Sequence, residues 1–150
     1  MIKKLFRLNV IILIFFILDR ILKTIALEGV VKKFFFFNFS FFPNQNIALG
    51  IPLSGIFLYF LLTVVILLVV LMLVKAYRKE KTVDVFSWTM ILAGAFSNVF
   101  DRFKYGSVVD YFDLSFFTVF NLADAMIFIG VVILVWRIIA PNHRFFVKKF

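Results

Sequence analysis

Two stretches of this chain gather side chains that could do chemistry. The first runs Asn98-Val99-Phe100-Asp101-Arg102 and continues, after a short gap, as Val108-Val109-Asp110-Tyr111; the second is Phe120-Asn121-Leu122-Ala123-Asp124. They hold three carboxylates, two Asn and one Arg in a sequence that otherwise reads as lipid-facing. The chain has no Cys, and its single histidine, His143, lies in the C-terminal tail. A thiol nucleophile, a disulfide, a His-based triad and a Cys/His metal site are therefore not expected, and no cofactor is called for. The remaining catalytic groups are carboxylates. Two carboxylates held close cannot both ionise easily, so the pair keeps one proton over a useful pH range. One member can then draw a proton from water while the other donates to a scissile carbonyl or amine, which is aspartic peptidase chemistry. Spacing alone leaves open which two of Asp101, Asp110, Asp113 and Asp124 form the pair.

The elements that must carry these groups are membrane helices. The hydrophobic share is 64% and the mean hydropathy +1.08, far above the roughly 45–50% apolar usage of soluble domains. Four spans are predicted, at about 5–27, 54–74, 85–101 and 121–139, in one unit covering 1–150. The second has 21 residues without a charge, about 31 Å as a helix and enough for the hydrocarbon core. Eleven of the 17 basic residues fall before or in the first turn of segment one, between segments two and three, or at and beyond the end of segment four. The positive-inside rule then places both termini and the 75–84 loop in the cytoplasm. The net charge of +9 serves this orientation rather than nucleic-acid binding, because the basic residues sit in short clusters between apolar stretches. Segment one resembles a signal peptide at its start, but Asp19-Arg20-Ile21-Leu22-Lys23 stands where a small-residue cleavage site belongs, so it stays.

On that topology the polar residues converge. Asp19 and Lys23 share one face of helix one near its outer end. Asn98, Asp101 and Arg102 share a face at the outer end of helix three, Asn121 and Asp124 open helix four, Asp110 lies between those helices, and Asn44 is in the outer connection 28–53. An Asp at a helix centre costs roughly 2.5–3.5 kcal/mol on insertion scales, so such groups are usually kept for function. Plainer readings stand beside this one. Asp19 and Lys23 can be a simple helical ion pair, Asp101-Arg102 can mark where a helix leaves lipid, Asn121 can be an N-terminal cap, and Asp124 gains from the helix dipole. Asp113 is expected in solvent. The outer connections, rich in Phe, Asn, Ser and Pro around 34–46 and opening with a Gly turn at Gly106, predict a small interfacial sheet. The run Phe34–Phe37 reads as background composition.

A rival class is a non-enzymatic transporter or channel subunit with polar groups along a path. Such a path needs polar groups at full depth, and between Gly55 and Val74 only Tyr59 and Thr63 offer any, while helix four after Asp124 offers none before Arg137.

The ordered combination of motifs resembles the lipoprotein signal peptidases (signal peptidase II), bacterial membrane aspartic peptidases. Asn-x-x-Asp-Arg followed by Gly-x-Val-Val-Asp-Phe is similar to Asn98–Arg102 and Gly106–Tyr111. Phe-Asn-x-Ala-Asp is similar to Phe120–Asp124, and Asp-x-x-x-Lys to Asp19 and Lys23. One motif departs: Asn-x-Gly-Ala-Ala-Phe appears as Asn44-Gln45-Asn46-Ile47-Ala48-Leu49, which leaves an inactive relative as a further alternative. The resemblance implies four transmembrane helices with a small extracytoplasmic β-cradle. It implies a dyad of Asp110 and Asp124, with Asp101, Asn44, Asn98, Arg102 and Asn121 supporting the dyad or the substrate, and Asp19 and Lys23 bracing helix one. The implied substrate is a prolipoprotein whose Cys carries diacylglycerol, cut just before that Cys at the outer membrane surface by a monomer that touches lipid and no nucleic acid.

Overall fold

The computed structural model describes residues 2–45, 55–114 and 118–140. The altered stretch 46–49, His143 and the basic residues Arg144, Lys148 and Lys149 lie outside the described residues. The order is α1 (Ile2–Leu27), β1 (Lys32–Lys33), β2 (Phe37–Asn44), α2 (Gly55–Arg78), α3 (Thr82–Tyr105), β3 (Val108–Leu114) and α4 (Leu122–Ile139). Helices α2, α3 and α4 are each long and apolar enough to cross a membrane. Helix α1 is equally long but carries Arg7, Asp19, Arg20 and Lys23.

Helix α3 touches all three other helices and organises the bundle. It meets α4 through two glycines. A Cβ on Gly94 would strike the Ala123 carbonyl oxygen, and one on Gly130 would come within 2.8 Å of the Ser87 carbonyl oxygen, so only hydrogen fits at either crossing. Ile12, Met90 and Met126 fill the middle of the bundle, and Leu5, Ala76 and Val85 fill one end. At that end Arg137, in the last turn of α4, pairs with Asp84 in the first turn of α3.

The opposite end is covered by an antiparallel sheet in the order β1-β2-β3. Its inner face packs Phe39, Val109 and Tyr111 onto Ala26, Leu22 and Ile25 of α1. Gly106 ends α3 in the left-handed conformation, with φ at 76°, and its N–H donates to the Arg102 carbonyl. That turn feeds the chain directly into β3. The strand runs on well past Asp110, which therefore stands within it rather than at its end. Pairing with β2 and an antiparallel bridge from Phe112 to Phe120 carry it on to Leu114.

Candidate active site

Five Asn and Asp side chains meet where β3 passes the first turn of α4. Asn121 is the N-cap of α4. Its side-chain oxygen accepts from the Asp124 N–H at 2.8 Å, and its own N–H donates to Asp124 Oδ2 at 3.2 Å, forming a reciprocal capping box. The cap also serves the neighbouring strand: Asn121 Nδ2 donates to Asp110 Oδ1 at 2.7 Å. One residue therefore holds both carboxylates. The remaining oxygens are held as well. Asn44 Nδ2 donates to Asp110 Oδ2 at 2.8 Å, and Asn98 Nδ2 to Asp124 Oδ1 at 2.7 Å. Asn98 Oδ1 in turn accepts from Asn121 Nδ2 at 3.1 Å and from Lys23 Nζ at 2.9 Å.

Asp110 is buried. Burial first, and then the charge of Asp124, push its carboxyl up to about 6, against the pull of the Asn44 and Asn121 amides. The charges that bear most on the buried Arg102 guanidinium are those of Asp124 and Asp110, ahead of its neighbour Asp101. Arg102 thus belongs to the dyad side of α3.

Asp101 points the other way. Its Oδ1 takes Arg20 Nη1 at 2.5 Å, and its Oδ2 takes Lys23 Nζ at 2.7 Å and the Val109 N–H at 3.3 Å. Lys23 also pairs with Asp19 at 3.1 Å. Asp19 is fully buried and accepts on both oxygens, from Ser97 Oγ at 2.6 Å, from the Tyr111 hydroxyl at 3.0 Å and from the Ala123 N–H at 3.1 Å. The ion pair read at Asp19 and Lys23 is present, then, but it is one edge of a buried cluster joining α1, α3, β3 and α4. That cluster lies directly behind Asp110 and Asp124.

Three members of it were missed in the sequence: Arg20, Ser97 and Tyr111. Ser97 and Asp101 stand four apart on the face of α3 that meets α1, a helical spacing that could have flagged them. Tyr111 stands where the motif carries Phe, and the extra hydroxyl was the available signal. It accepts from the Leu122 N–H at 2.9 Å as well as donating to Asp19. Asp113 is not free in solvent as expected. It is half-buried opposite Asn38 in the sheet, and Asn38 Nδ2 donates to it at 3.3 Å. It is on a different part of β3 from the dyad, as cross-strand register requires. Among the described residues, no group of three or more His, Cys, Asp or Glu is arranged to hold a metal ion.

Residues 11–140 match the family described as signal peptidase (SPase) II. The chain belongs to that family. Curated relatives include the lipoprotein signal peptidase of Wigglesworthia glossinidia brevipalpis, 35% identical over 86% of this chain and 92% of the relative. That of Thermodesulfovibrio yellowstonii is 33% identical over 89% of this chain and 95% of the relative. A solved bacterial membrane enzyme superposes with a TM-score of 0.77 over 96% of this chain and 94% of its own, at 24% identity, so it shares the fold. A second solved bacterial membrane enzyme gives 0.71 at 26% identity, over 92% and 94%. Membership in the signal peptidase II family makes this chain a peptidase and sets the transporter and channel readings aside.

Proposed function

We propose that this chain is an aspartic endopeptidase of the bacterial cell membrane, and that it removes signal peptides from prolipoproteins by cutting before a diacylglyceryl-modified Cys. The observation that carries the reading is the wiring of Asp110 and Asp124 through Asn121. Two carboxylates, one raised to about 6 by burial and by the other's charge, are presented side by side with every oxygen oriented by an amide. In the reaction one carboxylate takes a proton from water, and the water oxygen attacks the scissile carbonyl carbon. The protonated partner gives its proton to the carbonyl oxygen. Collapse of the tetrahedral diol breaks the C–N bond, and the proton taken from water passes to the departing amine of the lipidated Cys. Asn44, Asn98 and Asn121 hold the carboxylates, and Arg102 supplies a cation beside the developing charge. Asp101, with Asp19 and Lys23, keeps α1 locked behind the strand that carries Asp110.

All four helices span the bilayer in this reading. Helix α1 has its polar face at Asp19, Arg20 and Lys23 turned onto α3 and α4 rather than lipid, which supports a span despite the charge. Both termini are cytoplasmic, the sheet and dyad are extracytoplasmic, and residues 1–150 act as one monomeric unit without cofactor or nucleic acid. In this reading the substrate reaches the dyad by lateral diffusion at the membrane surface, with its acyl chains left among the helices. Each buried CH₂ contributes about 0.8 kcal/mol, so the lipid dominates capture. Incubation of the purified chain with diacylglyceryl-modified prolipoprotein, read by gel shift, should show cleavage, and the unmodified precursor should be left almost intact. Equal turnover of the two precursors would reject lipid recognition.

A further inference from the structure

The run Phe34–Phe37, read from the sequence as background, is not on a membrane helix. It forms the turn of the β1–β2 hairpin, closed by the Phe34 N–H donating to the Phe37 carbonyl at 2.9 Å. Phe35 is 91% exposed, Phe36 64% and Phe34 54%. Interchangeability with Leu against lipid explains exposed Phe on a transmembrane helix. It does not explain a hairpin tip that projects three aromatic rings beyond the sheet.

Two further features bear on what covers the tip. Lys32 and Lys33, both exposed, are the whole of β1 and flank the rings directly. Glu28 is the only acid from 28 to 45, and it lies back at the end of α1. Lys32 pairs with Phe39, whose face of the sheet packs on α1, so this cation is turned toward the bundle side at the sheet's free edge. Aromatic rings beside lysines whose stems can lie along apolar surface are the composition of a segment that beds at a headgroup boundary. The rings are also not loose. Phe34 stacks on Phe37 at 4.5 Å, Phe37 meets Phe112 edge-on at 5.9 Å, and Phe112 meets Tyr111 at 4.8 Å. Tyr111 is the residue after Asp110, and its hydroxyl bonds to Asp19. A continuous aromatic ladder thus joins the tip to the cluster behind the dyad.

We infer that the Phe34–Phe36 tip is a membrane anchor that beds in the outer headgroup boundary of the bilayer, with Lys32 on anionic phospholipid, and so fixes the depth at which the sheet presents Asp110. The inference rests on the extracytoplasmic placement of the sheet proposed above. It assigns to the tip a lipid partner and no contact with the peptide being cut.

Depth is measurable without activity. In a Trp88→Phe/Trp136→Phe background, Phe35→Trp places one indole at the tip of the full chain in nanodiscs. The expected result is blue-shifted emission, quenched by lipid brominated near the top of its acyl chains and shielded from acrylamide. Adding phosphatidylglycerol to phosphatidylcholine should strengthen the lipid quenching, and Lys32→Gln should remove that gain while Lys33→Gln, on the other face of the strand, should not. Phe35→Ser/Phe36→Ser should raise KM for diacylglyceryl substrate about tenfold, as fewer molecules hold the competent depth, with kcat within about twofold. Emission at the wavelength of a water-exposed indole, with free access to acrylamide, overturns the anchor. So does shielding that appears only when substrate is added, which would make the tip a peptide contact. A quenched tip on a chain that cleaves nothing leaves the anchor standing and rejects the peptidase reading; a solvated tip on an active chain does the reverse.

Discussion

Replacing Asn44 by Ala isolates the hydrogen bond that favours the ionised form of Asp110. Asn44 Nδ2 donates to Asp110 Oδ2 at 2.8 Å. The bond works against burial and the charge of Asp124, which together push the carboxyl up to about 6. A hydrogen bond to a charged group contributes about 1.5–3 kcal/mol in the interior. Asn44 is half-buried, so the lower end applies, and about 1.4 kcal/mol is one pKa unit. The sign follows from which form is bonded. Loss of a donor disfavours the carboxylate, so the Asp110 value climbs by about one unit. The acid limb of kcat/KM requires an ionised carboxylate and should shift to higher pH by that amount. At about pH 6 the ionised share falls from roughly one half to one tenth, a loss of about fivefold, whereas at about pH 8 the loss is under about 1.2-fold. The limb belongs to the coupled pair rather than to Asp110 alone, so the comparison is between profiles of the two proteins. Initial rates on diacylglyceryl prolipoprotein in nanodiscs, well below KM, give the profile. Asn38→Ala is the matched control, since its amide serves Asp113 instead and the limb should not move. An Asn44→Ala profile lowered equally at every pH would refute the reasoning and assign Asn44 to substrate alone.

Asp110→Asn and Asp124→Asn should each abolish cleavage in the gel-shift assay while the protein still inserts and folds, because Asn keeps size and hydrogen bonding but moves no proton; Asp113→Asn should be mild. Asp110→Asn should also flatten one part of the stability profile. The unfolded carboxyl ionises near its ordinary value of 3.8 and the folded one near 6, so the folded chain binds more protons in that window and loses stability as pH rises through it, by about 1–3 kcal/mol, which thermal melts across pH would read. Asp101→Leu should destabilise by about 3–5 kcal/mol, because Arg20 and the fully buried Lys23 lose their shared carboxylate; a melting temperature equal to that of the parent would show that the cluster does not hold α1. Cysteine labelling should mark Lys33→Cys from outside the cell and Lys79→Cys only after the cytoplasm is opened, both sites being exposed; the reverse pattern would invert the proposed topology.

What could be read in the sequence, and what could not, divides along a physical line. Periodicity and charge gave the helices to within a few residues, since membrane helices announce themselves by length and hydropathy. Helical spacing put Asn98, Asp101 and Arg102 together at the outer end of α3, and Asn121 and Asp124 on one turn of α4, because i, i+3 and i+4 relations are local. The same local rule cannot say which way a face turns. The i+3 and i+4 spacing from Asn98 grouped Asp101 and Arg102 on a single face of helix three. Successive helical positions lie about 100° apart, and the two side chains serve opposite sides of α3: Asp101 meets Arg20 and Lys23, and Arg102 faces the dyad. Nor could spacing choose among the cations of α1, because the choice depends on how α1 crosses α3. The strands carry the deepest ambiguity. Asn44 lies opposite Val108 in the sheet, yet its amide reaches Asp110 two residues on, and the register that allows this is shifted between Phe39 and Phe42. A shift of one residue would turn Asp110 to the other face of β3. The bulge, which no motif encodes, therefore decides whether a carboxylate in the right sequence stands beside Asn121 or out in water.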